Sequence, residues 1–337
     1  MDDVVILGIE TSCDETAAAV VRNGSELLSN VINSQINVHR KFGGVVPEVA
    51  SRKHIENISG VVEQALADAA LDFGEIDVVA VTNRPGLIGA LLVGVSFAKG
   101  LAYALDRPLI AVNHLEGHIY ANFLENPDIE FPVVCLVVSG GHTSLVYMES
   151  HGCCEVMGET RDDAAGEAFD KVARFLGLGY PGGPAVERAA RDGQPGIYQL
   201  PRVYLDRNDF EFSFSGLKTA TMNQWNQLKR KQGFANVNDL AAEFQAALVE
   251  VLVEKTVLAG LTREVNSILL AGGVAANGLL REQLASRSRE EGLRLYRPSM
   301  DLCTDNAAMI AGCAYHQYLR GETAPLNLNA YAGLDLL

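Results

Sequence analysis

The sequence has few cysteines and no apolar run that reaches membrane-spanning length. Its six cysteines contain no CxxC spacing, which argues against a disulfide scaffold and against a zinc ribbon. The longest apolar stretch, residues 86–98, is interrupted by glycines and closed by Lys99, short of the roughly 20 residues that a membrane helix needs. The first residues are acidic where a secretory signal would be basic. We therefore expect a cytoplasmic protein.

Basic residues are also scarce. The chain has 27 Lys and Arg against 42 Asp and Glu, a formal net charge of −15 at pH 7. Affinity for nucleic acid rests largely on neutralisation of phosphates by Lys and Arg. An RNA substrate would therefore require either a local basic patch or a partner that supplies positive surface. Two candidate patches are residues 229–231 and the group Arg161, Lys171 and Arg174, but a run of charges is more often a solvated helix face, so we favour partners.

Apolar material is abundant, at 48% of 337 residues, which predicts about two domains of roughly 150 residues. Two similar strand–turn–strand segments, residues 4–21 and 133–148, indicate an internal duplication. Together with alternating strands and helices between and after them, they predict an α/β protein. Helices are expected over residues 50–70, 89–104, 164–176 and 304–319, strands over residues 77–82, 109–112 and 267–271, and irregular chain over residues 177–216.

The segment HLEGH, residues 114–118, predicts a pair of metal ligands. On a helix, His114 and His118 lie four residues apart on one face, within reach of a single ion. The alternative is two ordinary histidines near a helix start. A metalloprotease is disfavoured, because the zincin pattern H-E-x-x-H has its glutamate directly after the first histidine, whereas Glu116 comes two places later and on the far side of the helix.

Asp305, at the predicted start of the last helix, is a candidate third ligand. Its carboxylate would be stabilised by the helix dipole, and from the sequence alone simple helix capping accounts for it better than metal binding does. Two histidines and one carboxylate would leave coordination positions open, as in a catalytic centre, with iron(II) or zinc as candidates.

Two glycine-containing turns predict close approach of the backbone to a ligand. SGGHT at residues 139–143 is either a hairpin turn or a phosphate cradle, and AGGVAAN at residues 271–277 joins a buried strand to a helix N-terminus. With the turn after the first strand, they resemble the nucleotide-binding segments of the actin, sugar kinase and heat-shock ATPase superfold. In that fold, two duplicated actin-like (ribonuclease H-like) domains enclose a nucleotide and metal cleft. We expect residues 1–112 with 302–337 to form one domain and residues 113–301 the other.

Specific motifs along nearly the whole chain resemble the bacterial tRNA N(6)-adenosine threonylcarbamoyltransferase family, formerly described as a glycoprotease. They are ETSCDET (10–16), GGVVPE (43–48), HLEGH (114–118), VSGGHT (138–143), DDAAGEAFDK (162–171), YPGGP (180–184), FSFSGLK (212–218) and CTDN (303–306).

The resemblance implies roles for individual residues. The metal, Fe(2+) more readily than zinc, would be held by His114, His118 and Asp305. Asp14 and Glu15 match acidic residues needed for activity, with turn capping as their alternative. The threonylcarbamoyl-adenylate would be bound by Val137, Val138, Ser139, Gly140, Gly141, Asp170, Gly183, Glu187 and Asn277.

The implied reaction transfers the threonylcarbamoyl group from threonylcarbamoyl-AMP to the N(6) amine of the adenosine that follows the anticodon, in tRNAs reading codons that begin with A, and it releases AMP. The implied partners are tRNA, an actin-like dimerisation paralogue (TsaB) and a small ATPase (TsaE). Two alternatives stay open at this point. One is an actin-like metabolite or sugar kinase, and the other is a non-enzymatic subunit that holds an adenylate.

Overall fold

The computed structural model describes residues 3–204, 209–232 and 236–333. Contacts divide the chain into two units, Met1–Ile129 with Pro298–Leu337, and Glu130–Arg297. The sequence-based boundaries, after residues 112 and 301, differ from these. The helix that begins at His114 accounts for the first difference, because it packs extensively on the C-terminal helix of the first unit.

In the part of the chain that the structure describes, ten strands form two five-stranded sheets. Their bounds are β1 Val5–Glu10, β2 Glu15–Arg22, β3 Glu26–Ser34, β4 Val78–Arg84, β5 Leu109–Asn113, β6 Val133–Val138, β7 Thr143–Ser150, β8 Cys153–Glu159, β9 Ser267–Ala271 and β10 Arg294–Tyr296. The strand orders are β3-β2-β1-β4-β5 and β10-β9-β6-β7-β8. In each sheet three consecutive strands are antiparallel, and two later strands run parallel to the first. The shared topology supports the predicted duplication.

The helices are α1 Ile36–His39, α2 Pro47–Asp68, α3 Ile88–Leu105, α4 His114–Glu125, α5 Ala165–Leu176, α6 Gly182–Arg191, α7 Ser215–Gln232, α8 Val237–Thr262, α9 Gly278–Glu290, α10 Met300–Cys303 and α11 Ala308–Leu319. Short 3-10 turns occupy Arg40–Phe42, Phe73–Glu75 and Gly273–Ala276.

In the first unit, alternate residues of the central strand face different helical layers. Leu7 and Ile9 lie in a core with residues of α2 and α3 such as Val62 and Leu91. Gly8 faces the other way, and a Cβ there would lie 2.4 Å from the Ala307 carbonyl oxygen, just before α11. The C-terminal helix therefore packs back on the first sheet, as the sequence predicted.

The second unit is built around α8. This helix is buried nearly all round, contacts β6 and β9, and packs against α6, α7 and α9. Helix α6 was missed, because its Gly-Gly-Pro start indicated a loop. Pro184 instead occupies the first turn, where proline needs no hydrogen-bond partner for its nitrogen.

Helix α3 contradicts the expectation that no segment reaches membrane-spanning length. It has 18 residues with a mean hydropathy of 1.7, and a third of them are buried. By length and composition alone such a helix is apolar enough to cross a bilayer, but core helices of soluble proteins meet the same criteria. The buried side of α3, including Leu91 and Val95, packs on β4 and α2. Its other side exposes apolar residues.

Candidate functional site

The first unit brings His114, His118 and Asp305 together. Their ligand atoms all lie within 4.8 Å of one another. Asp305 Oδ1 is 3.4 Å from His114 Nε2 and 3.2 Å from His118 Nε2. The histidines occupy the first two turns of α4, which begins at His114 because the Asn113 side chain accepts a hydrogen bond from Leu115 N. The predicted i,i+4 pair therefore faces one carboxylate.

Close packing of α4 on α11 fixes this arrangement. Gly117 faces α11, and a Cβ there would lie 2.8 Å from Ile310 Cδ1. Helix α11 is capped by Asn306, whose Oδ1 accepts a hydrogen bond from Met309 N at 3.0 Å. The capping role considered for Asp305 is therefore wrong, because its neighbour makes that bond. The Asp305 carboxylate instead faces the two imidazoles.

Glu10 is a site residue that the sequence analysis did not single out. It is fully buried at the end of β1, and its Oε2 lies 2.9 Å from His114 Nδ1. Thr82 Oγ1 donates to the same oxygen at 2.6 Å, and Ser12 N donates to Oε1. A carboxylate can only accept, so His114 carries a proton on Nδ1, and its Nε2 faces Asp305. An acidic residue ending an otherwise apolar strand was the available signal.

The protonation states of the two histidines differ. Burial opposes a charged His114, but Asp305 and Glu10 on either side raise its pKa well above the ordinary value. Burial lowers the pKa of His118, so this imidazole is neutral. Burial also opposes ionisation of Asp305, but the neighbouring His114 lowers the pKa of its carboxyl. The cluster thus offers an ionised carboxylate and a neutral imidazole.

These residues fit a divalent metal ion. Both ring nitrogens of His118 are buried, and among the described residues neither makes a hydrogen bond of good geometry, although Nε2 lies 3.2 Å from Asp305 Oδ1. An unpaired buried polar atom is costly. His118 Nε2 is close to Asp305 Oδ1 without making a hydrogen bond, as expected for two atoms that share a third partner. Two imidazole nitrogens and one carboxylate suit iron(II) or zinc and leave coordination positions open.

Asp14 lies in the turn between β1 and β2, and Glu15 is the first residue of β2. Burial raises the pKa of Asp14. Burial also raises the pKa of Glu15 to about 8, which the hydrogen bond from Ser34 Oγ at 2.8 Å only partly offsets. The second carboxyl oxygen of Glu15 is buried without a hydrogen-bond partner. A carboxyl with such a pKa can exchange a proton near neutral pH.

In the second unit, the predicted ligand-binding turn follows β6. Ser139 closes the turn by donating its N–H to the His142 carbonyl at 2.9 Å. A Cβ added at Gly140, Gly141, Gly183 or Gly273 would meet no protein atom within 4 Å, so a ligand can approach the backbone at each. Glycine is required at position 272 for a different reason. Its φ is +92°, which side chains rarely adopt, and a Cβ would lie 2.4 Å from the Val138 carbonyl oxygen.

The remaining predicted ligand contacts lie on the helices beside this turn. Asp170 Oδ1 accepts from Gly182 N at 2.6 Å and so ties α5 to the start of α6. Glu187 Oε1 accepts from Gly278 N at 3.2 Å, between α6 and α9. Asn277 caps α9 by accepting from Leu280 N, and its amide donates to Gln245. The side chains of Val137 and Val138 are buried in the sheet, so only their backbone atoms can face a ligand.

The proposed basic patches are mostly occupied by internal bonds. Arg161 pairs with Glu211 at 3.0 Å. Lys171 pairs with Asp163 at 2.6 Å and with Glu167 at 2.8 Å. Lys229 and Arg230 are exposed on α7, but the side chain of Lys231 lies outside the described residues. The group around Lys171 is therefore not a free cationic surface.

Comparisons with known proteins agree along the chain. The profile of the family described as "TsaD: tRNA N6-adenosine threonylcarbamoyltransferase" matches residues 26–312. A protein of that name from Syntrophomonas wolfei is 69% identical over 334 residues, covering 99% of this chain and 98% of the relative. The one from Desulfitobacterium hafniense is 57% identical over 334 residues, again with 99% and 98% coverage.

Solved structures of other proteins share the fold at low identity. Full-length HypF in a phosphate- and nucleotide-bound form aligns with a TM-score of 0.60 at 16% identity, over 97% of this chain and 47% of that one. Component A of (R)-2-hydroxyglutaryl-CoA dehydratase from Acidaminococcus fermentans aligns with a TM-score of 0.53 at 14% identity, over 94% and 99%. These neighbours confirm the predicted actin-like α/β fold.

Proposed function

Because this chain belongs to the tRNA N6-adenosine threonylcarbamoyltransferase family, we propose that it transfers the threonylcarbamoyl group from threonylcarbamoyl-AMP to tRNA. The acceptor is the N(6) amine of the adenosine that follows the anticodon, in tRNAs reading codons that begin with A. The amine nitrogen forms a bond to the carbamoyl carbon, the bond from that carbon to the phosphate oxygen breaks, and AMP leaves. The observation that carries the proposal at the site is the convergence of His114, His118 and Asp305.

The first unit would hold the metal, Fe(2+) in preference to zinc, through these three residues. When bound, such an ion supplies Lewis-acid stabilisation of negative charge that develops on oxygen during acyl transfer. Glu10 orients His114 by accepting a hydrogen bond from its Nδ1–H group, so that Nε2 faces the metal site. The buried His118 Nε2 faces the Asp305 carboxylate at 3.2 Å and makes no hydrogen bond of good geometry among the described residues, which supports its assignment as the second ligand.

The second unit would bind the adenylate. The open glycines at residues 140, 141 and 183 support close approach of the phosphate to backbone N–H groups. Asp170 and Glu187 each hold a helix N-terminus beside the turn, and Asn277 is oriented by its bonds to Leu280 and Gln245. Holding the donor in one pose reduces the entropic cost of reaction.

Glu15 is our candidate for the proton acceptor. The attacking amine loses a proton as the new bond forms, and a base is most effective when its pKa lies near the working pH. The raised pKa of Glu15, about 8, meets this requirement. Asp14 precedes it in the same turn and adds negative charge that raises that pKa further.

A partner fits the exposed face of α3. Ile88, Leu92 and Tyr103 are 47%, 41% and 75% exposed on this helix, and Ile55 is 65% exposed on the adjacent α2. Contiguous exposed apolar residues mark interaction surfaces. We assign this face to an actin-like paralogue and expect a small ATPase to act on the complex. A cytoplasmic location follows from a tRNA substrate and agrees with six cysteines present as thiols.

Reconstitution tests the function directly. Purified chain, threonylcarbamoyl-AMP, a defined tRNA transcript and the two partners are combined, and modified nucleoside and AMP are quantified by mass spectrometry. We expect equal amounts of both products. Phosphoryl transfer from ATP to a small metabolite would instead support a kinase. A transfer rate unchanged by complete removal of the metal would support a non-enzymatic adenylate-binding subunit.

A further inference from the structure

The first unit carries a small basic and aromatic loop that the function above has not used. Arg40, Lys41 and Phe42 form a 3-10 turn whose side chains are exposed, Phe42 by 61%. Neither Arg40 nor Lys41 has an ion-pair partner among the described residues. Around them, residues 36–55 contain four Lys or Arg against one acid, in a chain whose net charge is −15.

The fold holds this loop in place. His39 is fully buried, its Nδ1 accepts a hydrogen bond from Val46 N at 3.2 Å, and its Nε2 donates to Gln35 Oε1 at the same distance. Gly44 N donates to the His39 carbonyl at 3.4 Å and closes the turn. The three exposed side chains are therefore displayed by a loop that is anchored at its base, which reduces the entropy lost on binding.

Both ends of the loop are tied to the acidic turn of the first sheet. Gln35 N donates to the Asp14 carbonyl at 3.0 Å. On the other side, His54 Nε2 lies 3.0 Å from the Cys13 carbonyl oxygen, and its Nδ1 lies 2.8 Å from Thr16 Oγ1. The loop therefore lies next to the turn that carries Glu15, the proposed proton acceptor.

We propose that Arg40, Lys41 and Phe42 bind the anticodon loop of the tRNA substrate. Phe42 stacks on an unpaired base next to the acceptor adenosine, and the two cations bind the flanking phosphates. Single-stranded RNA loops are recognised through stacking on aromatic rings combined with Lys and Arg contacts to the backbone. This inference rests on the proposed function, since that function places the acceptor in such a loop.

The test titrates a labelled anticodon stem-loop RNA into the full chain at low salt, with four variants. Arg40→Ala/Lys41→Ala removes the cations, Phe42→Leu removes the ring, and Phe42→Tyr restores it. The matched control, Lys229→Ala/Arg230→Ala, removes the same charge from an exposed helix of the second unit. Melting temperature and metal content are measured for each variant.

We expect Arg40→Ala/Lys41→Ala to weaken RNA binding about ten- to thirty-fold at roughly 0.1 M salt, and to reduce the slope of log K against log salt by about 1.4. Phe42→Leu should weaken binding about tenfold, whereas Phe42→Tyr should bind like the unchanged chain. In the reconstituted reaction the same variants should raise the KM for tRNA but not the KM for the donor.

Equal weakening by the control pair would show that only net charge matters and would overturn the proposal. Unchanged RNA affinity in the loop variants would overturn it too, and would leave the loop as a contact for an acidic protein. Failure of the transferase proposal is a separate result. It would appear as no modified nucleoside from the unchanged chain, whatever the loop variants do to RNA affinity.

Discussion

Replacement of Glu10 by glutamine tests whether the tautomer of His114 controls metal binding. Glu10 accepts from Ser12 N at one oxygen, and from Thr82 Oγ1 and His114 Nδ1 at the other. A glutamine has one oxygen and one NH₂ group. The backbone N–H of Ser12 cannot become an acceptor, so the oxygen must face Ser12 and the NH₂ must face His114.

In the metal-free protein His114 is charged and protonated at both nitrogens, so a metal must displace the Nε2 proton and leave the Nδ1 proton facing residue 10. An NH₂ group at residue 10 cannot accept that Nδ1 proton and instead favours the tautomer whose single proton is on Nε2. A protonated Nε2 cannot bind a metal. Loss of such outer-shell partners costs about 10–100-fold in metal affinity, which corresponds to about 1.4–2.8 kcal/mol. We therefore expect Glu10→Gln to weaken metal binding by that factor while the fold is retained.

The measurement is calorimetric titration of metal into apo protein, with nitrogen NMR to identify the His114 tautomer. Glu116→Gln is the matched control, because Glu116 is a partly buried carboxyl on the helix that carries His114, and it accepts a hydrogen bond from Gln317 rather than from His114. If Glu10→Gln keeps full metal affinity, or if both variants lose it equally, the tautomer argument is wrong.

Four further predictions concern separate parts of the protein. His118→Ala should lower bound metal, measured by mass spectrometry, at least tenfold while AMP affinity, measured by calorimetry, is unchanged; an equal loss of both would indicate misfolding. Gly140→Val should lower AMP affinity at least tenfold and leave bound metal unchanged, because a Cβ there meets no described protein atom within 4 Å and the added bulk faces the proposed ligand site. Glu15→Gln should reduce the transfer rate about 100-fold. The folded Glu15 carboxyl keeps its proton up to about pH 8, whereas the unfolded one releases it near pH 4.5, so rising pH favours unfolding. Between these pH values the metal-free wild type should therefore lose about 1–3 kcal/mol of unfolding free energy relative to Glu15→Gln. Identical denaturant curves at both pH values would refute the pKa shift. The isolated chain should bind tRNA weakly at physiological salt, and the paralogue should tighten that binding at least tenfold. Leu92→Glu should abolish the gain in tRNA affinity. Tight binding of tRNA by the chain alone would remove the need for a partner.

Much of the fold was predictable because its signals are local. Buried strands such as Ser267–Ala271 are short apolar runs between turn residues, and α3 is a predominantly apolar helix. The edge strand β3 was missed because it is half exposed and rich in polar residues. Helix α6 was missed because glycines normally end helices, whereas here they begin one.

The site was predictable where spacing alone brings ligands together. His114 and His118 meet on one helix face, so their sequence separation suffices. Glu10 and Asp305 reach the histidines only through the packing of β1 and α11, over 104 residues in the case of Glu10. No local sequence pattern shows whether an acidic residue caps a helix or faces an imidazole. At Asp305 the structure decides between these roles, because Asn306 makes the capping bond to Met309 N.

The two sheets share a strand order but differ in the turn that follows the first strand of each. The turn after the first strand is acidic in one repeat, with Asp14 and Glu15, and neutral and glycine-rich in the other, with Gly140 and Gly141. Carboxyl groups exchange protons and disfavour phosphate, whereas bare backbone N–H groups bind phosphate. The same hairpin topology thus presents two turns of different chemistry, carboxyl groups in the first unit and open backbone N–H groups in the second.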